Sequence, residues 1–428
     1  MVKCNQNIYS PRKEYPAVSQ ADRIIFHIDV NSAFLSWSAL DLLEKGEEVD
    51  LRTIPSIVGG DMAKRHGVVL AKSIPAKAYH IVTGEPVVNA FRKCPNLVSV
   101  APDHTMYSRR SRQLMEYLSN ICPDIEQVSI DECYMDYTPI ASKYPSPEVA
   151  AGRIKDEIYE KFKFTVNIGI SDRKVLAKMA SDFKKPNLVH TLYAREIREK
   201  MWPMPVSSLY MCGHSSAETL RKLGILTIGD LAQADLRILE AHLKSHGLTL
   251  WKYANGQDTS DVIPEPAKAK GIGNSTTLSA DAATREEASA TLLRLAESVG
   301  KRLRDSHQKA GLVCTEIKYN NFKSVSHQMP LEPPTSSSNE LYRKACILFD
   351  ELWDGTPIRL LGLRTTKLQE EDAPIQLNLF DYMASVPNSE KQQKLDAALD
   401  SIRSRFGKDS IKRGSLLNSP SHLDKEDF

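Results

Sequence analysis

The first 46 residues contain a short apolar run followed by a segment with helical spacing. RIIFHIDVN (23–31) is typical of a buried strand, because its β-branched and aromatic residues form one run that ends at Asp29 and Asn31. AFLSWSALDLLEKG (33–46) has apolar residues at helical intervals and a glycine at its end. The pattern therefore predicts a strand that leads directly into a helix.

The segments up to residue 190 continue this alternation of strands and helices. Strands are predicted at 125–130 and 133–138, on either side of an adjacent pair of carboxylates, and at 164–171, and helices at 146–162 and 172–187. Read in order, the pattern is β-α, then β-β, then α-β, which is the ferredoxin-like split order with an insertion after the first helix.

The remainder of the chain changes character twice. Short helical segments follow residue 190, and a second α/β pattern with long helices begins at about residue 268. An acidic stretch at 369–382 precedes a predicted helix at 389–406. The pattern predicts several domains, which agrees with a length of 428 residues.

Composition and charge narrow the class of protein. A hydrophobic content of 41% with 26% charged residues is typical of a soluble globular chain. The sequence contains no apolar run of about 18 residues, so we expect no membrane span. The polar N-terminus lacks a signal core, so we expect a cytoplasmic protein without a membrane partner. The net charge is only +2, but residues 268–327 hold ten Lys/Arg against six Asp/Glu, which favours a surface for phosphate.

Two adjacent carboxylates, Asp131 and Glu132, interrupt the strand pattern in VSIDECYMD (128–136). At a hairpin turn the strict alternation of side chains breaks, so both can lean to the same edge of the sheet. In a ferredoxin-like sheet the strand ending at Asp29 commonly lies beside this hairpin, so three carboxylates would converge. Such a cluster repels itself unless divalent cations such as Mg²⁺ neutralise it. Two such ions support an in-line phosphoryl displacement, whereas an ordinary surface turn is the alternative.

Several motifs together carry a family resemblance. They are HIDVNSAFLSW, VGGDMAKRHGVVLAKSIPAKAYHIVTGEP, VSIDECYMD, VNIGISDRKVLAKMASDFKKPN and IQLNLF. In this order they resemble the Y-family DNA polymerases, of the bacterial DNA polymerase IV type, over about residues 23–415.

The resemblance implies an α+β multidomain fold shaped as a right-hand polymerase, with a ferredoxin-like palm, small fingers, a helical thumb and an α/β little-finger domain. The implied limits are 21–38 and 100–190 for the palm, 39–99 for the fingers, 191–262 for the thumb with a helix-hairpin-helix-like segment, 268–368 for the little finger, and 369–428 for a clamp-binding tail and C-terminal helix.

The activity implied by the resemblance is template-directed DNA synthesis of low fidelity during translesion synthesis. Deoxynucleotides would be added to a primer 3′-OH, with release of pyrophosphate, by two-metal-ion phosphoryl transfer. The implied cofactors are two Mg²⁺ ions, with Mn²⁺ as a substitute. The implied partners are primer–template DNA, dNTPs and the bacterial sliding clamp, and the protein is expected to be a monomer.

The resemblance also assigns roles to residues near the first strand. Asp29 and Asp131 match the two metal-bridging aspartates, and Glu132 matches the third carboxylate of the catalytic set. Val30 matches the residue whose backbone carbonyl binds metal. Phe34 matches the steric gate, an aromatic ring under the sugar that excludes a 2′-OH; a core phenylalanine on a helix face is the alternative.

The nucleotide-binding residues depart in part from the family pattern. Lys77 stands where the family usually has an arginine on the triphosphate, and Lys185 matches the phosphate-contacting lysine of the K-P-N box. A usual tyrosine of the fingers is Ile74 here, and a usual threonine is Ala71. Two hydroxyl donors are therefore missing, and lysine supplies a point charge where arginine supplies a bidentate fork.

Three residues are candidates to replace these donors. The candidate donor groups are the hydroxyl of Ser73 and the backbone N–H groups of Ser32 and Ala33. We expect them to contribute to nucleotide binding.

The thumb and the tail carry one further departure and one further motif. In MCGHSSAETLRKLG (211–224), Met211 stands where the family's phosphate-binding hairpin usually has its first glycine. In IQLNLF (375–380), four residues resemble the bacterial sliding-clamp peptide Q-L-x-L-F, in which an extended segment places Leu and Phe in an apolar pocket. They are Gln376, Leu377, Leu379 and Phe380.

Two other functions remain open from the sequence. A palm-type nucleotide cyclase would explain the carboxylates, but it gives no role to the thumb helices, the basic second domain or the tail motif. A non-catalytic DNA- or clamp-binding protein would explain the altered fingers, but it gives no role to the intact carboxylate set.

Overall fold

The computed structural model describes residues 23–60, 67–373, 379–407, 410–411 and 413–414, with the backbone alone for 379–390, 392 and 393. These residues form two compact units. The first comprises the described residues to 60 and from 68 to 266, and the second comprises Gly67 and the described residues from 267 onward.

The first unit contains eight strands and nine α-helices within the described ranges. The strands are β1 (Ile25–Val30), β2 (Ser56–Gly59), β3 (Val69–Lys72), β4 (Val98–Val100), β5 (Ile125–Gln127), β6 (Glu132–Asp136), β7 (Val166–Ser171) and β8 (Val189–Thr191). The helices are α1 (Ala33–Glu44), α2 (Ile74–Lys77), α3 (Val87–Lys93), α4 (His104–Ile121), α5 (Pro147–Phe162), α6 (Lys174–Ser181), α7 (His214–Lys222), α8 (Ile228–Ala232) and α9 (Leu236–Ala254). Short 3₁₀ turns cover Thr138–Lys143, Ala194–Glu196 and Val206–Ser208, and a π-helical turn covers Ile197–Met201.

The main sheet has the strand order β5-β6-β1-β7-β8, which confirms the predicted split arrangement. Strand β1 lies at the centre and pairs antiparallel with β6 on one side and β7 on the other. All six of its residues are buried, as its continuous apolar run predicts. A central strand covered on both faces places its end, at Asp29 and Val30, in a fixed position relative to β6.

Helix α6 lies unusually close to β7, and the contact depends on a glycine. A Cβ atom at Gly169 would come within 2.0 Å of the Ala177 carbonyl oxygen and 2.4 Å of the Ser181 backbone nitrogen. A larger residue is therefore excluded here. The close approach sets the position of α6, and of the loop that follows it, against the sheet.

The insertion after α1 forms a small sheet of its own, with the order β3-β2-β4. Its strands pack on α2 and α3 around an apolar cluster that includes Ile57, Val69 and Ala76. Residues 61–66 of the VGGDMAKRH motif lie outside the described residues.

The helices predicted after residue 190 are present as α7, α8 and α9. Their buried side chains form one cluster with α6, which includes Leu176, Leu220 and Leu250. Helix α8 begins with a capping box, in which the Thr227 side chain accepts from the Asp230 backbone N–H and the Asp230 side chain accepts from that of Thr227. The helical segment therefore shares one core with the main sheet's helix layer.

The second unit has the predicted α/β pattern. Its strands are β9 (Gly271–Ala282), β10 (Gln308–Tyr319), β11 (Ser324–Thr335) and β12 (Ile358–Glu370), in the order β11-β10-β12-β9. Its helices α10 (Arg285–Asp305) and α11 (Ser338–Leu352) cover one face of this sheet around a core that includes Leu292, Ile317 and Phe349.

The last helix, α12 (Leu379–Phe406), begins ten residues before the predicted start at 389. The backbone of Leu379 and Phe380 is helical and forms the first turn of α12, and the extended form expected when the motif binds the clamp stays a prediction. Helix α12 is tied to α10 by ion pairs, among them Arg304 to Asp400 at 2.7 Å. None of the helices in the described ranges is long and apolar enough to cross a membrane.

Candidate active site

The strand register brings the predicted carboxylates together. Asp29 of β1 is the direct partner of Glu132 in β6, and the Val30 backbone N–H donates to the Asp131 carbonyl oxygen at 3.1 Å. Glu132 is the first residue of β6, so only Asp131 lies in the turn, which corrects the expectation that both do. Asp29 and Glu132 therefore lie side by side at one edge of the main sheet, and the backbone of Asp131 lies in the adjoining turn.

Two lysine ammonium groups lie among these carboxylates. Lys185 Nζ is 2.8 Å from Asp29 Oδ1, and Lys178 Nζ is 2.6 Å from Glu132 Oε1 and 3.8 Å from Asp29 Oδ2. Asp182 contacts both lysines, at 3.3 Å from Lys178 and 2.9 Å from Lys185. The sequence motif that follows β7 predicts a phosphate-contacting role for Lys185, but it gave no sign that Lys178, in the same motif, contacts the carboxylates.

The surroundings of Asp29 and Glu132 shift the pKa values of these two paired carboxyl groups in opposite directions. Burial raises the pKa of Asp29 to about 7, against the opposing charge of Lys185. Burial also acts to raise the pKa of Glu132, but the neighbouring His27 and Asp29 side chains and the hydrogen bond from Lys178 outweigh it and lower that pKa well below its usual range. Glu132 is therefore the more acidic of the two carboxyl groups, as expected when two carboxylates are held close together.

The donor set fits a hard divalent cation. Asp29, Asp131 and Glu132 supply carboxylate oxygens, and the cluster already attracts cationic ammonium groups at hydrogen-bonding distance. The Asp131 carboxylate accepts a hydrogen bond from Ser129 Oγ at 2.7 Å. Within the described ranges, no group of three or more Asp, Glu, His or Cys side chains is arranged so that it could hold a metal ion. Metal binding would therefore exchange carboxylate contacts with lysine and serine for contacts with the ion.

His27 lies behind the carboxylates on the same face of β1. Its side chain is buried, its Nδ1 is 2.7 Å from Ser181 Oγ, and its Nε2 faces Glu132 Oε2 at 3.7 Å. Burial lowers the pKa of His27, so the ring is neutral. The imidazole therefore packs behind Glu132, and its Nε2 has no hydrogen-bond partner among the described residues; the sequence pattern did not reveal this position.

Phe34 lies in the first turn of α1, a few residues beyond Asp29, and its ring is held by aromatic neighbours. It stacks on Tyr107 with the ring centroids 4.6 Å apart and an interplanar angle of 14°, and His104 meets it edge-on at 6.1 Å. The Tyr107 hydroxyl is itself hydrogen-bonded to Ser38 at 2.7 Å. The stack therefore holds the ring in one orientation, and the assignment of Phe34 as the steric gate stays a prediction.

Ser32 and Ala33 form the start of α1. Ser32 has left-handed backbone angles (φ 47°, ψ 52°), and its carbonyl oxygen accepts the Ser36 N–H at 2.9 Å. Helix α1 thus begins directly after the strand that carries Asp29, so its N-terminus lies beside the carboxylates. A helix N-terminus presents backbone N–H groups and a partial positive charge, both of which favour phosphate.

Ser73 is not available as a nucleotide ligand, which corrects that expectation. Its side chain is buried, and its hydroxyl donates to the Ile54 carbonyl oxygen at 2.7 Å. The same oxygen accepts the backbone N–H groups of Ala76 and Ser56, both at 3.1 Å. The hydroxyl therefore caps α2 and joins two strands of the fingers.

The altered fingers positions differ in their surroundings. Ala71 is buried in an apolar cluster against which Phe34 also packs. Ile74 begins α2 with 55% of its surface exposed, and Lys77 at the end of α2 is also exposed. Lys77 can therefore reach an anionic ligand, whereas Ile74 offers only an apolar surface.

Met211 adopts a backbone conformation that glycine normally occupies. Its φ is +69° and 54% of its surface is exposed. A methionine in this left-handed conformation carries a cost of about 1–2 kcal/mol relative to glycine. The turn leads directly into α7, whose N-cap is Gly213.

Replacing Met211 by glycine is expected to raise the free energy of unfolding slightly, by about 0.5 kcal/mol. Relief of the left-handed strain exceeds the added entropy of glycine in the unfolded chain. The smaller residue also lets the backbone approach DNA phosphate, so we expect several-fold tighter DNA binding. Denaturant unfolding and fluorescence anisotropy with a labelled primer–template measure the two effects. Met211→Ala, which keeps the strain, is the control, and an equal gain in that variant would contradict the explanation.

The tail motif is only partly described. Gln376 and Leu377 lie outside the described residues, and for Leu379 and Phe380 the backbone alone is described. The assignment of these four residues to a clamp peptide therefore stays a prediction.

Comparison with known families gives two matches that together cover more than half of the chain. Residues 28–182 match the impB/mucB/samB family, and residues 269–379 match the impB/mucB/samB family C-terminal domain. The first match contains the carboxylates and Lys178, and the second covers most of the second unit.

Curated relatives and a solved structure agree with this family. The chain is 44% identical over 395 residues to DNA polymerase IV of Clostridium acetobutylicum, covering 92% of this chain and 98% of that protein. It is 36% identical over 401 residues to DNA polymerase IV of Acetivibrio thermocellus, with the same coverage of 92% and 98%. A Y-family DNA polymerase chimera of known structure shares the fold, with a TM-score of 0.70 and 22% identity over 81% of this chain and 99% of that one. The chain therefore belongs to the impB/mucB/samB family, the Y-family of DNA-directed DNA polymerases, and within it to the group of the bacterial DNA polymerase IV proteins.

Proposed function

We propose that this protein extends a primer 3′-OH with deoxynucleotides on a DNA template, by two-metal-ion phosphoryl transfer, during translesion synthesis. The observation that carries the proposal is the β1–β6 register, which sets Asp29 against Glu132 with Asp131 at the adjoining turn. The carboxylates, the start of α1 and the fixed ring of Phe34 all lie at the same edge of the main sheet. A site that binds metal ions, a triphosphate and a sugar would need carboxylates, a helix N-terminus and an aromatic ring close to one another.

Different residues of the chain have different roles in the proposed reaction. Asp29, Asp131, Glu132 and the Val30 carbonyl oxygen would hold two Mg²⁺ ions, or Mn²⁺ in their place. Bound there, the ions would polarise the α-phosphate and lower the pKa of the primer 3′-OH. Lys185 offsets charge on the triphosphate, and catalysis of this kind depends mainly on such positioning and charge stabilisation.

Lys77 and the N-terminus of α1 complete the proposed triphosphate site. Lys77 is exposed at the end of α2, and the N–H groups of Ser32 and Ala33 belong to the start of α1. Because Ala71 and Ile74 provide no hydroxyl, these groups carry the phosphate contacts that the family usually shares with Thr and Tyr. We expect weaker nucleotide affinity but unchanged metal chemistry.

The second unit is proposed to hold the DNA backbone through the sheet face that its helices leave uncovered. Gly271, Gly273, Gly362 and Arg364 lie on that face and line a shallow groove of about 600 Å³. Glycines let a phosphate backbone approach the sheet closely, and arginine binds phosphate without reading sequence. Arg304 of α10 instead pairs with Asp400 within the unit.

The test is primer extension on a primed template with dNTPs, with Mg²⁺, with Mn²⁺ or with a chelator. Extension by the wild-type protein that requires a divalent cation and a template would support the proposal. Cyclisation of a purine triphosphate without a template would instead indicate a nucleotide cyclase. DNA binding with no incorporation under any metal condition, with the clamp present, would indicate a non-catalytic DNA-bound protein.

We also propose that Gln376, Leu377, Leu379 and Phe380 bind the sliding clamp. Because the backbone of Leu379 and Phe380 is helical in the free chain, binding as an extended peptide would unwind the first turn of α12. The cost of that unwinding would lower affinity relative to a peptide of the same sequence.

Phe380→Ala is expected to weaken binding of the clamp by about ten-fold or more, because an aromatic anchor in an apolar pocket dominates short-peptide affinity. Surface plasmon resonance with immobilised bacterial clamp measures the dissociation constant. Asn378→Ala, at the variable position of the motif, is the matched control. Equal affinities for the two variants would exclude the motif as the clamp contact.

A further inference from the structure

Two buried asparagines connect the main sheet to the loop that carries Lys185. Asn31 follows β1 and is 8% exposed, and Asn167 lies in β7 and is fully buried. The Asn31 side-chain amide donates to Asn167 Oδ1 at 3.2 Å. Burial of two uncharged amides in a strand layer is costly unless each polar atom is paired.

Asn167 uses its whole hydrogen-bonding capacity. Its Nδ2 donates to the carbonyl oxygens of Lys184 at 2.9 Å and Ser181 at 3.2 Å. Its Oδ1 accepts from Asn31 and from the Leu188 backbone N–H at 3.3 Å. Two donors and two acceptors are required here, and only an amide side chain of this length supplies them.

Asn31 anchors the other side of the same loop. Its Oδ1 accepts the Asn187 backbone N–H at 2.9 Å, and its own backbone N–H donates to the Thr165 carbonyl oxygen at 3.0 Å. The loop backbone is therefore fixed immediately before and shortly after Lys185. Between these anchors, Lys185 Nζ lies 2.8 Å from Asp29 Oδ1.

We propose that the Asn31–Asn167 pair is a positioning device that holds Lys185 at the triphosphate site. The inference rests on the proposed role of Lys185 in nucleotide binding. A lysine side chain is long and flexible, so the accuracy of its charge depends on how firmly its backbone is held. The amide pair supplies that restraint from the strand layer that also carries Asp29.

Asn167→Ala is expected to raise the dissociation constant of the incoming dNTP about ten-fold, while the maximal rate of incorporation changes by much less. The substitution leaves the loop carbonyl oxygens at Lys184 and Ser181 without their donor, so the loop loses its fixed path. Single-turnover extension over a range of dNTP concentrations separates affinity from rate. Because this core change also lowers stability, Asn31→Ala provides a second variant, which removes the anchor at Asn187 and the donor to Asn167 Oδ1 but keeps the Asn167 contacts with the carbonyl oxygens of Lys184 and Ser181.

A double-mutant cycle with Lys185→Ala tests whether the asparagines act through the lysine. Support requires that Lys185→Ala weaken dNTP binding and that Asn167→Ala or Asn31→Ala add little to it. If the asparagine variants weaken dNTP binding equally with and without Lys185, they act through general stability, and the proposal is overturned. It is also overturned if neither asparagine variant affects affinity in the wild-type background.

Two further measurements keep the inference distinct from the proposed function. Unchanged dNTP affinity in Lys185→Ala alone would remove the role of Lys185, and the positioning role with it, whatever the asparagine variants do. Ser171→Ala is the control for stability, because Ser171 is a buried polar residue of the same strand whose hydroxyl donates to the Leu192 carbonyl oxygen, away from the loop. A dNTP affinity in Ser171→Ala as weak as in Asn167→Ala would overturn the positioning role.

Discussion

Asp131→Ala is expected to reduce the rate of primer extension by on the order of a thousand-fold or more. Asp131 lies in the turn beside the Asp29–Glu132 pair, and under the proposed function its carboxylate would help to hold the cations that stabilise charge on the transferred phosphoryl group. The backbone at this position is held independently, since the Asp131 carbonyl oxygen accepts the Val30 N–H. The side chain can therefore be removed with little loss of stability. Single-turnover extension with saturating dNTP and Mg²⁺ measures the effect.

The matched control is Asp136→Asn, which changes a carboxylate at the end of β6 farthest from the Asp131 turn. Asp136 pairs with Arg23 at 3.6 Å, and its partner in the β1 register is Ile25, four residues before Asp29. We expect it to retain extension within a few-fold of the wild type and Asp131→Ala to bind DNA normally. Comparable rates for Asp131→Ala and the wild type would rule out the carboxylate cluster as the catalytic centre.

The fold was largely predictable because buried and exposed strand positions take different residue types, which leaves a readable pattern in the sequence. The uninterrupted apolar run of β1 indicated a central strand, and the interruption at Asp131 indicated a turn. Both follow from the period of side chains along a strand and from the rarity of buried charge. The start of α12 at Leu379 was not predictable, because Pro387 stands inside the helix and a proline normally interrupts a helical pattern, which favours a start after it.

The site was predictable only where a residue's chemistry is unusual for its position. A carboxylate at a strand end invites a functional interpretation, whereas Lys178 on a helix is ordinary in sequence. Only the close approach of α6 at Gly169 turns it toward Glu132. Likewise Ser73 is a plausible ligand by residue type, but its hydroxyl caps α2, and the partners of a hydroxyl are set by tertiary structure.

Phe34→Ala is expected to reduce discrimination against ribonucleotides by about a hundred-fold. The ring is stacked on Tyr107 and cannot easily turn aside, so it presents a fixed barrier to a 2′-OH. Its removal leaves space for the hydroxyl, and rATP or rCTP should then be incorporated at rates much nearer those of the deoxynucleotides. The ratio of kcat/KM for dCTP to that for rCTP opposite guanine measures the change.

The control for Phe34 must keep an aromatic ring while testing its surroundings. Phe34→Tyr preserves the stack and should keep most of the discrimination, whereas Tyr107→Leu removes the supporting ring and should lose part of it. This order follows from the geometry, because exclusion of a single hydroxyl requires the barrier to be both present and immobile. Undiminished discrimination in Phe34→Ala would show that another residue reads the sugar, and Phe34 would then be a packing residue of α1.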